Sequence, residues 1–248
     1  MLWERLHDQP GREVEPAALA LDDNGSVFVT GDAGVIKYLS NGAEAWFKTN
    51  LFGRAVAVDS SGGVFVTGSQ INTNGNADFY TAKLSTADGA LQWERGYNGP
   101  ADADDFASTV AVDVSGNVLV TGGSSNGTNT DYYTAKYAAT DGALLWEKRY
   151  NGPANGDDHT AFSHSLALGP NGMVAITGRS ANLNGNFDFA TVVYRENLPA
   201  VSIALVPTGV RLSFNGTPGQ SYQIERAPTV TGPWAVIETP TAPADGRI

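Results

Sequence analysis

Short apolar stretches recur along the first 195 residues, each about five residues long and each closed by a Gly-containing polar break. One unit shows the pattern. Thr109-Val110-Ala111-Val112-Asp113 leads through Ser115-Gly116-Asn117 to Val118-Leu119-Val120-Thr121-Gly122. A polar loop then leads to Tyr132–Tyr137, and Asp141-Gly142 leads to Leu144–Tyr150. Runs of this length joined by Gly turns predict four short antiparallel strands, named a to d in chain order.

The unit is repeated. Trp3, Trp46, Trp93 and Trp146 lie 43 to 53 residues apart, in Leu2-Trp3-Glu4-Arg5, Ala45-Trp46-Phe47-Lys48, Gln92-Trp93-Glu94-Arg95 and Leu145-Trp146-Glu147-Lys148. Between them recur Val29-Thr30-Gly31, Val66-Thr67-Gly68, Val120-Thr121-Gly122 and Ile176-Thr177-Gly178. A single four-stranded sheet cannot bury both of its apolar faces, whereas copies stacked around an axis can, so the repeats predict an all-β fold, a β-propeller of four-stranded antiparallel blades. The tryptophans read as packing anchors between blades.

The phase of the repeat starts on strand d, runs a-b-c-d three times and ends on a-b-c at Phe187–Tyr194. The N-terminal strand around Trp3 is therefore expected to close the last of four blades, leaving no open edge. The alternatives are an arc of a larger propeller, or two chains completing an eight-bladed ring as a homodimer. Residues 1–195 form the propeller in this reading, 196–200 a linker, and 201–248 a small β module with alternating runs such as Val210-Arg211-Leu212-Ser213-Phe214.

Composition narrows the function classes. Fifteen basic and 26 acidic residues give a net charge of −11, which argues against nucleic-acid tracking and docking to anionic lipid. No apolar run reaches the ~18 residues of a spanning helix, so membrane insertion is not expected, and the N-terminus does not read as a signal peptide. Cysteine is absent, which removes disulfides and thiolate chemistry. Glycine is 29 of 248 residues, and much of it sits in Asn-Gly, Asp-Gly and Ser-Gly turn pairs.

The run Asp113–Gly122, then Asp131–Tyr137, then Asp141–Trp146 resembles the bacterial SBBP-type β-propeller repeat, over about residues 1–195. Pro218–Arg226 with Gly232-Pro233-Trp234 looks like the fibronectin-like modules that follow such propellers. The resemblance implies an extracellular or cell-surface protein and more repeats than are present here. The chain starts inside a repeat and stops inside a module, as a fragment of a longer reading frame would.

In a propeller of this phase the long d-to-a and b-to-c loops share one face, the usual place for binding or catalysis. His7, His159 and His164 fall there, as do Asp104, Asp105, Asp157 and Asp158. Ala17, Arg54, Ser108 and His164 occupy one equivalent position at the start of strand a, near the axial mouth. Arg54, Ser108 and His7 are the expected ligand-binding residues and His164 and His159 the expected catalytic ones. The four aspartates are candidate ligands of a divalent metal, calcium for oxygens alone or zinc with histidine. The competing reading is that loop aspartates bond their own backbone. No nucleophile elbow, Walker loop or dinucleotide fingerprint is present, and no organic cofactor is expected. The leading expectation is a surface binding module for a small molecule, glycan or protein. The alternative is a metal-dependent hydrolase of activated esters, lactones or phosphotriesters.

Overall fold

The computed structural model describes residues 1–160, 164–170, 172–196, 202–206, 209–213, 224–226, 235–241 and 243. Those residues are strands, turns and loops, with no helix among them. The first sheet consists of β1 (Pro16–Leu21), β2 (Val27–Gly31), β3 (Gly34–Tyr38) and β4 (Glu44–Lys48) in sequence order. The second repeats it with β5 (Gly53–Val58), β6 (Gly63–Ile71), β7 (Ala77–Ser85) and β8 (Leu91–Tyr97). The third has β9 (Asp105–Val112), β10 (Val118–Ser125), β11 (Thr130–Tyr137) and β12 (Leu144–Tyr150). All pairings in these three meanders are antiparallel.

The fourth sheet varies the pattern. Its strand a is split into β13 (Asp158–Thr160) and β14 (Leu166–Gly169), which both pair with β15 (Met173–Ala181) along one side. On the other side β15 pairs with β16 (Phe187–Arg195). These four-stranded antiparallel sheets are the blades of a β-propeller fold. The expected closure by the N-terminal strand is not what the pairings show. Among the described residues β16 pairs with β15 alone, and residues 1–8 belong to no strand.

Residues 1–194 form one compact unit and 195–248 a second. In the second, β17 (Ser202–Val206) pairs with β18 (Gly209–Ser213), and β19 (Ile224–Arg226) with β20 (Ala235–Glu238). Four of the five expected linker positions, 197–200, and most of the expected module lie outside the described residues.

Successive blades are joined by the tryptophans. Trp93 leaves β8 and donates its indole N–H to the Ala139 carbonyl in the next blade's turn, at 3.1 Å. Its ring lies over Gly142, where a β-carbon would stand 2.8 Å from the indole. Trp46 repeats this on Thr86 (3.0 Å) and Gly89. Trp3 repeats it on Ser40 (3.0 Å) and Gly42. These turn glycines have φ of 69°, 67° and 82°, so the Asp-Gly and Asn-Gly pairs satisfy a backbone need and a packing need together. Around Trp93, Phe65 and Phe79 of the second blade close on Val110, Val118, Val120 and Tyr133 of the third.

The Val-Thr-Gly marker has a different cause. Strand a passes so close to strand b that a β-carbon on Gly68 would lie 2.3 Å from the Phe52 carbonyl oxygen. Gly31, Gly122 and Gly178 would meet carbonyls of Glu15, Phe106 and His159 at 2.2, 1.9 and 2.1 Å. The threonine beside the glycine is buried and ties strand b to strand c. Thr67 Oγ1 donates to the Tyr80 carbonyl at 2.9 Å and Thr121 Oγ1 to the Tyr133 carbonyl at 3.0 Å.

Two substitutions test this account. Trp93→Ala removes a core indole and opens a cavity between blades, and should cost about 4 kcal/mol in urea-unfolding free energy. Gly122→Ala places a methyl group against a backbone oxygen that cannot swing aside, so its thermal midpoint should fall well below that of Gly96→Ala, whose β-carbon would meet nothing nearer than the Phe79 carbonyl oxygen at 3.7 Å.

Candidate functional site

At the close pass each strand a carries one extra residue. In β5, Gly53 faces Gly68 and Ala55 faces Thr67, so Arg54 is unpaired. In β9, Ala107 faces Gly122 and Thr109 faces Thr121, which leaves Ser108 unpaired. In β1 the extra residue is Ala17. A bulge of this kind re-aims side chains and reverses the in-out alternation beyond it. In the fourth blade the interruption lengthens to residues 161–165, where 161–163 lie outside the described residues.

The bulges of the second and third blades line a groove of about 500 Å³. Arg54, Asp104, Phe106, Ser108, Thr130 and His159 contribute to its wall. Four of these, Arg54, Ser108, Asp104 and His159, were expected from the loop-face argument. Arg54 is exposed, and among the described residues it makes no hydrogen bond or ion pair. Ser108 is held in place, donating to the Thr121 carbonyl at 3.1 Å and lying 3.0 Å from Thr160 Oγ1. His159 sits in β13, and burial is the main reason its imidazole pKa is lowered below the ordinary 6.5. Arg179 adds to that, while Asp157 and Asp158 oppose it.

Phe106, Ser125 and Thr130 were not anticipated. Plain alternation puts Phe106 on the same side as Val110 and Val112, in the core. The bulge at Ser108 reverses the phase, so Ala107 shares the core with Val110 and Phe106 stays 42% exposed in the groove wall. An aromatic placed just ahead of the position that aligns with Arg54 was the available signal.

The other expected residues lie elsewhere. His164 is exposed, with φ of 56°, and is not part of the groove wall. His7 packs edge-on against Phe47, with ring centroids 4.5 Å apart. The aspartates serve the loops. Asp105, fully buried, accepts from the Gly99 N–H at 2.5 Å and the Ser125 N–H at 3.0 Å. Asp158, also fully buried, accepts from the Gly152 N–H at 2.5 Å. Asp104 accepts from the Ala77 N–H at 2.9 Å and Asp157 from the Thr130 N–H at 3.0 Å, each reaching the b-to-c loop of the preceding blade. These carboxylates thus spend oxygens on backbone N–H groups. Among the described residues no three His, Asp or Glu side chains converge as a metal site would need.

No protein-family model matches the chain, and no curated protein sequence does. Solved structures do. The chain is similar to the quinohemoprotein alcohol dehydrogenase of Comamonas testosteroni at 13% identity, with a TM-score of 0.53 over 82% of this chain and 40% of that one. It is similar to a quinohemoprotein alcohol dehydrogenase of Pseudomonas putida HK5 at 13% identity, with a TM-score of 0.50 over 92% of this chain and 44% of that one. The chain therefore spans less than half the length of these proteins. At that identity the likeness concerns the fold, and it places the chain in the β-propeller class.

Replacing Asp105 by Ala should cost about 3 kcal/mol by equilibrium unfolding, because two loop N–H groups lose a charged acceptor in a buried place. For His159 the sign follows from its lowered pKa. Below about pH 6.5 the unfolded chain binds a proton that the folded imidazole resists, so this site's contribution falls as pH drops through that value. His159→Gln should therefore lose less stability between pH 7 and pH 5 than the unsubstituted protein, as read by denaturation at each pH.

Proposed function

We propose that this chain is a propeller-type binding module whose groove takes a small hydroxyl-rich ligand, a saccharide being the class that fits best. The carrying observation is that the groove is lined both by a guanidinium, Arg54, with no partner among the described residues and by an exposed aromatic ring, Phe106. A guanidinium donates to ring hydroxyls or a carboxylate, and an aromatic face covers the C–H side of a sugar. The second oxygen of Asp104 and the hydroxyls of Ser125 and Thr130 add acceptors and donors in the same groove. Loops held by buried carboxylates keep these groups in place before a ligand arrives, which lowers the ordering cost of binding.

Within this reading the repeat is of the SBBP type, the C-terminal unit is a fibronectin-like module, and the protein works outside the cell or at its surface. Those finer assignments rest on the sequence motifs. The hydrolase alternative has one feature in its favour, a histidine held neutral in the groove at physiological pH. It would draw its metal from Asp104, Asp105, Asp157 and Asp158, whose oxygens already serve loop N–H groups.

Screening against an array of neutral and acidic glycans, followed by calorimetry on any hit, tests the proposal. Arg54→Ala and Phe106→Ala should each weaken binding about tenfold or more, with the fold retained. An array without a hit, or full affinity in Arg54→Ala, would discard it.

A further inference from the structure

The residue whose carbonyl presses on the strand-b glycine is Glu15 in the first blade, Phe52 in the second, Phe106 in the third and His159 in the fourth. Phe52 stands two residues before the surplus Arg54, as Phe106 stands two before the surplus Ser108. Phe52 therefore repeats Phe106 one blade earlier. Both rings are about half open to solvent, Phe52 at 49% and Phe106 at 42%.

The surroundings of the two rings repeat as well. Ile71 pairs with Ala77 at the end of the β6–β7 ladder, as Ser125 pairs with Thr130 at the end of the β10–β11 ladder. The loop of the following blade closes on each ladder end in the same way, Asp104 accepting from the Ala77 N–H and Asp157 from the Thr130 N–H. Ser69, the residue after Gly68, donates to the Asp105 carbonyl at 3.4 Å, so this face of the second blade looks toward the third. The groove is continuous with the place so defined. Arg54 follows Phe52 by two residues and Asp104 bonds the Ala77 N–H, and both line the groove. The chemistry differs between the two junctions. Beside Phe106 stand the hydroxyls of Ser125 and Thr130, whereas beside Phe52 stands Ile71, which is 67% exposed.

Packed sheets stand about 10 Å apart, so rings on neighbouring blades are separated by roughly the span of a disaccharide. Two half-open rings at that interval, with donors and acceptors between them, match a repeating polymer whose units each carry an apolar C–H face and a hydroxyl edge. Arg54 and Asp104 are the charged side chains of the groove wall, one of each sign, and the whole chain carries a net charge of −11. That balance favours a neutral polymer over an acidic one. On the saccharide reading of the groove, we infer that its occupant is a neutral, linear oligosaccharide that continues onto the second blade, with one sugar ring on Phe106 and another on Phe52. Arg54 then lies between the two platforms, and Ile71 widens the apolar shelf at the Phe52 end. Glu15 takes the equivalent place in the first blade, so the pair of platforms ends at Phe52.

The test is calorimetry of the full chain with neutral oligomers of glucose, mannose and xylose, each supplied as dimer, tetramer and hexamer. For the sugar that binds, the tetramer should be held about tenfold more tightly than the dimer, because the second platform acts on a ligand already tethered at the first. Phe52→Ala should cost the tetramer about tenfold and the dimer far less, whereas Phe106→Ala should weaken both. Phe52→Leu keeps the apolar bulk without a ring and should behave as the alanine variant does, while Phe52→Trp should keep the gain with length. Each variant should retain the far-ultraviolet circular dichroism of the parent. A tetramer bound no more tightly than the dimer overturns the inference. So does a gain with length that survives both Phe52→Ala and Phe52→Leu. In either case the saccharide reading of the groove stands if Phe106→Ala weakens the dimer. If no oligomer of any length binds, that reading falls and the inference falls with it.

Discussion

A backbone oxygen occupies the space where a side chain would begin at Gly31, Gly68, Gly122 and Gly178. That crowding is the constraint on which the rest of the fold depends. It lets strand a lie tightly on strand b while carrying one residue too many, and the surplus residue has no ladder partner to hold it. At Arg54 and Ser108 the surplus residue turns toward the groove. The glycine is therefore a requirement of the scaffold whose effect is felt at the surface. The buried threonine beside it fixes strand b to strand c and keeps the pass in register.

The second organising interaction is the indole set on a turn glycine of the following blade. It combines a hydrogen bond to a turn carbonyl with ring-on-backbone packing that any larger residue would block. Acidic side chains carry out the corresponding task on the long-loop face. Asp104 and Asp157 reach back one blade, and Asp105 and Asp158 hold their own loops. The chain's negative charge thus owes part of its origin to backbone amides that need acceptors.

The sheets were legible in the sequence because their signals are local: period-two runs, Gly turns and a recurring tryptophan. The position of Arg54 and Ser108 was legible for the same reason, since aligned repeats expose a variable site on a constant frame. Phe106 was hidden because its burial depends on a bulge that reverses alternation, and no single run of residues announces a reversal. His164 aligned with Arg54 and Ser108 but falls within a longer interruption, so equivalence along the chain did not become equivalence in space. The role of the aspartates turned on which N–H groups stand nearby, a tertiary matter. The destination of Trp3 was misjudged in one respect: its docking on the first blade follows the repeat, while its pairing with β16 required two distant ends of the chain to meet.

The links between blades described above, by indole, bulge hydroxyl and carboxylate, each run from one blade to its immediate neighbour. A unit inserted between two others would find its anchors on both sides already in place, and a unit removed would leave a junction of the same chemistry behind. Such an architecture tolerates gain and loss of whole modules far better than change within one. Lineages carrying it are then free to vary in copy number while the packing rule stays constant.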